Sequence, residues 1–246
     1  MANVFLSPSA QEFNPYVGGG NEEYYMNIIT DALEPYLRRA GVAFGRNNPQ
    51  RPFTDAVRLS NEGNYDLHLA LHSNAAPPAQ SGSVRGSQVY YFPDSAESKR
   101  AAEIFAENIR RIYPLPDLVK TVPTTSLGEI IRTKAPAILI EIAYHDNEED
   151  AQWIRDNIEA IAENLAMSLG EFLGVSITSP DMVRMGIVTT QGGRLNLRME
   201  PTINADIRTR IPNGTAIPLF DEVNGWYLTQ YNGIRGYVSG EYVTVE

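Results

Sequence analysis

The feature that most constrains this chain is a change of periodicity near residue 175. Before it, short apolar runs alternate with amphipathic stretches. Glu22 to Arg39 puts Tyr25, Ile28, Ile29, Ala32, Leu33, Tyr36 and Leu37 on one stripe, and Asp150 to Phe172 does the same with Ile154, Ile158, Ile161, Leu165, Leu169 and Phe172. Both have the spacing of helices that bury one face. A further helix is expected from Ser95, its N-cap, through Ile104, Phe105, Ile109 and Ile112 to a stop at Pro114. Between them lie strands at Val4–Leu6, Val42–Phe44, Asp66–Leu71, Gln88–Phe92 and Ala137–Ala143, several apolar throughout, as a sheet covered on both faces requires. The pattern is α/β, a mostly parallel sheet flanked by helices. After residue 175 helical spacing stops and turn pairs crowd in: Gly192-Gly193, Pro212-Asn213-Gly214, Asn224-Gly225, Asn232-Gly233 and Ser239-Gly240. Evenly spaced short strands there predict a small all-β barrel. The expected division is 1–174, a linker at 175–184, and 185–246.

Composition removes whole classes of function. The chain has no cysteine, which excludes thiol nucleophiles, disulfides and thiolate metal sites. Lys and Arg total 20 against 30 Asp and Glu, a net charge of −10 with no basic patch, so nucleic acid is not an expected partner. No apolar run is long enough for a membrane span. Met1-Ala2-Asn3 leads directly into Val4-Phe5-Leu6 without the basic and apolar regions of a signal peptide. No Gly-x-Ser-x-Gly elbow occurs, which argues against a serine hydrolase. Asn213-Gly214-Thr215 matches a glycosylation sequon but is first a turn.

Histidine is confined to His68, His72 and His145. From Tyr65 to His72, leucines take the odd positions and Asp66, His68, Ala70 and His72 the even ones, which is strand period. Four strand residues span about 13 Å, too far for His68 and His72 to share one metal at about 2 Å. His72 is the better candidate ligand, since it precedes the Ser73-Asn74-Ala75-Ala76-Pro77-Pro78 loop, where α/β sites gather. Glu141 closes an apolar strand as a lone carboxylate, which is costly unless paired, metal-bound or protonated; desolvation would raise its pKa toward a general base's range.

These segments resemble the zinc-dependent N-acetylmuramoyl-L-alanine amidases of the amidase type 3 family. The resemblance rests on Leu6-Ser7-Pro8-Ser9-Ala10-Gln11, Asn21-Glu22-Glu23, Leu71-His72-Ser73-Asn74-Ala75 and Pro136-Ala137-Ile138-Leu139-Ile140-Glu141 followed by Asp146-Asn147, in family order over about residues 1–174. It implies a peptidoglycan hydrolase cleaving the amide between N-acetylmuramic acid and L-alanine, with zinc held by Glu22 and His72 and with Glu141 as acid/base. The departure is at the first ligand: register puts Ser9 or Ala10 at the family histidine, with Gln11 beside it. Gln11 would supply a weaker oxygen donor, or serve only as a turn residue. His145 is a candidate oxyanion donor or replacement ligand if the Glu141 strand persists, or else a loop histidine. Asn74 and Arg132 are candidate substrate-binding residues. The C-terminal part, with Arg194-Leu195-Asn196-Leu197-Arg198, Gly225-Trp226-Tyr227 and Gly236-Tyr237-Val238, resembles bacterial SH3-like domains, which commonly bind the cell wall. The resemblance implies peptidoglycan as partner and an extracellular or wall location. Two other readings share these residues: a non-catalytic wall-binding protein that has lost zinc, and a metallohydrolase for another peptide-like amide.

Overall fold

The computed structural model describes residues 2–177 and 184–245, which form two compact units. The first contains β1 (Asn3–Pro8), α1 (Glu22–Arg39), β2 (Ala43–Arg46), α2 (Phe53–Glu62), β3 (Leu67–Asn74), β4 (Ser87–Tyr91), α3 (Ala96–Arg110), β5 (Val119–Pro123), α4 (Gly128–Ile131), β6 (Ala137–Tyr144), α5 (Glu148–Asp156) and α6 (Ile158–Leu173). Its six strands lie in the order β2-β1-β3-β6-β4-β5. The four on the β2 side run parallel, β4 is antiparallel to β6, and β5 follows β4.

The two sheet faces differ, and the difference places the chemistry. The odd-numbered leucines Leu67, Leu69 and Leu71, with Val4, Leu6, Ile138 and Ile140, are buried in one large core with Ile29, Leu33, Leu37, Phe105, Leu165 and Leu169 of α1, α3 and α6. The opposite face has only a small cluster of Ala70, Ile130, Ala137 and Leu139. It carries the even-numbered His68 and His72 and, across the ladder, Glu141 paired with His72. Strand period thus sends the apolar side chains to the helices and the polar ones to the thinner side.

Several expectations are corrected in detail. The helix expected from Asp150 to Phe172 is two, because Asn157 leaves helical geometry at φ −122°, ψ 25°. The apolar spacing of Ile154, Ile158 and Ile161 runs through that break, so periodicity alone does not reveal it. Gly174, at φ 68°, closes α6. Part of the expected linker belongs to the first unit: the Val175 amide donates to the Gly170 carbonyl, and Ile177 is buried in the core. The remainder of that stretch, at 178–183, lies outside the described residues.

Asp150 anchors the end of β6. Its carboxylate is fully buried and accepts from Arg85 Nε at 2.8 Å, the Tyr113 hydroxyl at 2.7 Å, and the amides of Gly86 and Tyr144, each at 3.1 Å. The residues beside Glu141 are therefore fixed from below by a fully satisfied charge.

The second unit contains β7 (Arg184–Val188), β8 (Arg194–Arg198), β9 (Ile207–Pro212), β10 (Ala216–Val223), β11 (Trp226–Tyr231), β12 (Ile234–Ser239) and β13 (Val243–Val245), an antiparallel sheet in the order β13-β7-β10-β11-β12-β8-β9. Asn224-Gly225 and Asn232-Gly233 take positive φ at both positions, the geometry of two-residue hairpin turns. Val188, Leu195, Leu197, Ile211, Ile217, Leu219, Val238 and Val243 form its core. Among the described residues no helix is long and apolar enough to cross a membrane.

Candidate active site

Three segments meet at the carboxyl ends of β1 and β3. Asn21 caps α1 by accepting from the Tyr24 amide at 2.8 Å, which places Glu22 in the first helical turn with its side chain almost wholly buried. His72 comes from β3, and Gln11 from the loop after β1. His72 Nδ1 lies 2.8 Å from Glu22 Oε1, and Gln11 Nε2 lies 3.2 Å from the same ring nitrogen and 3.4 Å from the same carboxylate oxygen. Asn14 completes the cluster, donating to Glu22 Oε2 at 2.6 Å and to Gln11 Oε1 at 3.2 Å. Burial pushes the Glu22 pKa up, but the hydrogen bond and charge of His72, aided by Asn14 and Ser9, outweigh it and hold the carboxyl below its ordinary range. Burial likewise opposes the charged form of His72, yet Glu129 and Glu22 hold its pKa well above the ordinary value.

Glu141 stands across the β3–β6 ladder from His72. Its Oε2 is buried without a hydrogen-bond partner, and so is Nε2 of His72. Desolvation pushes the Glu141 carboxyl up to about 7, against the pull of His72 and with the help of the Glu22 charge. A carboxylate near neutrality with an orphaned oxygen is the arrangement of a group that exchanges protons with a bound molecule.

The other sequence candidates fall into different places. Asn74, at the end of β3, donates to Gln88 Oε1 at 3.3 Å, and Gln88 pairs with Glu141 in the ladder, so Asn74 borders the Glu141 side of the site. His145 is buried elsewhere: β6 shifts register between its pairings with His72 and Asn74, which breaks the alternation that would have kept His145 on the Glu141 face. Its Nδ1 lies 2.8 Å from the Ser73 carbonyl oxygen and 3.0 Å from the Ser73 hydroxyl, and its ring stacks on Tyr16 at 5.4 Å. Arg132 caps the end of α4 with an exposed side chain, outside the lining of the cavity.

Glu129 is the residue that sequence reasoning missed. It sits on the one-turn helix α4, is 5% exposed, and reaches both histidines of β3: Oε2 is 2.8 Å from His68 Nε2, and Oε1 is 3.5 Å from His72 Nε2. The signal that could have found it is the one that found Glu141, a lone carboxylate inside an apolar segment, here Leu127-Gly128-Glu129-Ile130-Ile131. A cavity of about 380 Å³ opens onto Gln11, His72 and Glu129 between the apolar walls of Phe13, Phe53 and Leu139.

Ligand atoms around a tetrahedral zinc at about 2 Å sit about 3.3 Å apart. The His72 nitrogen, the Glu22 oxygen and the Gln11 amide, at 2.8 to 3.4 Å from one another, are spaced to match. Among the described residues no three His, Cys, Asp or Glu side chains gather in a metal-binding group, and the Gln11 atom facing His72 and Glu22 is Nε2, so a third donor from this residue would require its amide to turn and present the oxygen. One imidazole, one carboxylate and one amide fit a divalent ion, with less affinity than a set containing a second imidazole.

A mostly parallel sheet with an acid–histidine centre at its strand ends is thus joined in one chain to a small antiparallel β unit. Residues 12–171 match the N-acetylmuramoyl-L-alanine amidase family (amidase type 3), and residues 193–244 match the bacterial SH3 domain. The chain belongs to the N-acetylmuramoyl-L-alanine amidase family, the peptidoglycan hydrolases that cut the stem peptide from the glycan. The family match begins one residue after Gln11, where the sequence departs from the family pattern.

Solved structures share the fold. The amidase AmiC2 of Nostoc punctiforme is 19% identical at a TM-score of 0.63, covering 70% of this chain and 97% of that one. The catalytic domain of CwlV from Bacillus (Paenibacillus) polymyxa var. colistinus is 16% identical at 0.61, covering 72% and 100%. The catalytic domain of the CD27L endolysin, which targets Clostridia difficile, is 18% identical at 0.56, covering 72% and 100%. None of the curated proteins compared matches the chain.

Proposed function

We propose that the first unit cleaves the amide between N-acetylmuramic acid and the L-alanine of the stem peptide with Glu141 as general acid/base, at a centre where Glu22, His72 and Gln11 hold zinc. The observation that carries this reading is the Glu141 carboxyl, desolvated to about 7 with Oε2 unpartnered, in register with His72. Zinc bound there supplies positive charge that polarises the scissile carbonyl and acidifies a water. Glu141 takes the proton of the attacking water and returns it to the leaving amine, so hydrolysis needs no covalent intermediate. Glu22 stays ionised because His72 and Asn14 stabilise its charge. Asn74 orients the substrate from the Glu141 side. Arg132, three residues beyond Glu129, is exposed and free to meet a carboxylate of the stem peptide farther from the scissile bond.

The second unit binds the wall and holds the first near its substrate, which places the protein outside the cell or in the wall. The two units carry separate cores, the catalytic one reaching Ile177 and the SH3-like one starting with β7 at Arg184. Digestion of purified sacculi tests the reading. The expected products are free stem peptides with a new L-alanine amino terminus and intact glycan, from a preparation holding about one zinc per chain. Glycan reducing ends or cleaved peptide crosslinks would point to another bond, and wall binding without any product would point to a binding protein.

A further inference from the structure

We propose that Glu129 is a positioning residue of this centre: held by Ser7 and His68, its carboxylate faces Nε2 of His72 and reserves the ring's Nδ1 for the Glu22 and Gln11 side, where the metal is taken up. The inference rests on the zinc reading above and extends it to a residue outside the ligand set.

The carboxylate is held from one side and used on the other. The Ser7 hydroxyl donates to Oε2 at 2.6 Å, and His68 Nε2 lies 2.8 Å from the same oxygen. His68 is fixed in turn, with Nδ1 3.0 Å from the Ser60 hydroxyl and its ring stacked on Phe5 at 5.3 Å. Two residues four apart on β3 cannot share one ion, but their rings share one carboxylate, because α4 sets Glu129 over the strand face that both occupy. If Glu129 served only to satisfy His68, one oxygen would suffice. The other, Oε1, is 3.5 Å from the buried Nε2 of His72, which has no hydrogen-bond partner, and the cavity opens at this point.

An imidazole that ligates a metal through one nitrogen generally gives its other N–H to a carboxylate or carbonyl, which fixes the tautomer and makes the ligating nitrogen more basic. Here Nδ1 is the nitrogen among the candidate ligands and Nε2 the one facing Glu129. A site with an amide in place of an imidazole depends more on the basicity of the imidazole it retains.

The test uses the full chain as wild type, Glu129→Gln and Ser7→Ala. Zinc affinity is measured by competition with a chromophoric chelator, and the His72 ring nitrogens are followed by nitrogen-15 spectra of the zinc-loaded protein. Wild type is expected to take one zinc, with the proton on Nε2 and none on Nδ1. Glu129→Gln should bind about 10- to 100-fold more weakly. Ser7→Ala, which loosens the carboxylate without removing it, should bind about two- to ten-fold more weakly. Loaded wild type with the His72 proton on Nδ1, or a folded Glu129→Gln with wild-type affinity, overturns the role of Glu129 and leaves the amidase reading standing. If Glu129→Gln does not fold, wild-type affinity in Ser7→Ala overturns it. A wild type that takes no zinc overturns the metal reading together with this inference.

Discussion

Replacing Glu141 by glutamine should make the protein more stable and nearly inactive, and the size of both effects follows from the structure. Displacement of the carboxyl from 4.5 to about 7 means that folding disfavours its charge by about 3 kcal/mol. The folded state holds the Glu141 proton up to about pH 7, while the unfolded chain releases it near 4.5. The stability cost is therefore absent below about 4.5, grows as pH rises between the two values, and is complete above 7. Glutamine keeps the shape and removes the charge. Denaturant unfolding with a chelator present, so that no metal charge enters, should show Glu141→Gln ahead of wild type by up to about 3 kcal/mol at pH 8. The advantage should shrink by about 2 kcal/mol at pH 5.5. On sacculi, with zinc restored, stem-peptide release should fall about 10²- to 10⁴-fold, the usual contribution of a general base. A stability difference that does not change between pH 5.5 and 8 would mean that the carboxylate is not desolvated. Release within ten-fold of wild type would remove Glu141 from the mechanism.

Three further outcomes are expected. His72→Ala should abolish zinc uptake measured by metal analysis after dialysis, whereas Gln11→Ala should weaken it and Gln11→His strengthen it; unchanged affinity in both Gln11 variants would make Gln11 a turn residue. Asp150→Ala should cost about 3–5 kcal/mol in thermal or denaturant unfolding, because it leaves Arg85 Nε, the Tyr113 hydroxyl and two backbone amides without their acceptor; a loss under 1 kcal/mol would show that water replaces it. Removing residues 182–246 should leave a cooperatively folding unit that still hydrolyses soluble muropeptides but is poorly retained on sacculi, since tethering raises local concentration without altering the chemistry. Equal retention would assign the second unit another role.

The legible parts of the sequence were those in which a periodic face is buried. Helix α1 begins and ends where its stripe does, with the Asn21 cap and the two arginines at its close, and the leucines of β3 turn to the helices as their alternation requires. What stayed hidden lacks a period or hides inside one. Helix α4 has one turn, α2 buries only Ala56, Val57 and Ser60, and β5 lies at the sheet edge. The break at Asn157 preserves the apolar spacing on both sides. In the site, His72 and Glu141 stand out by strand period and by a lone carboxylate in an apolar strand, and Glu22 by the family resemblance; the fold places Glu22 beside His72 and Glu141 across the ladder from it. His145 shares the Glu141 face only if the alternation of β6 persists, which its irregularity interrupts, and Glu129 lies on a single turn whose lone carboxylate signals burial but whose direction no period fixes.

The division of the site between regular elements and a loop has a consequence for how such a centre can diverge. Glu22, His72 and Glu141 are mounted on α1, β3 and β6, so changing any of them also touches helix capping, sheet register or the core. Gln11 belongs to the loop after β1 and answers mainly to Asn14, Glu22 and His72. On the proposed reading, a change of side chain at position 11 would therefore cost folding little and would alter chiefly how strongly the centre holds its metal, leaving Glu141 untouched.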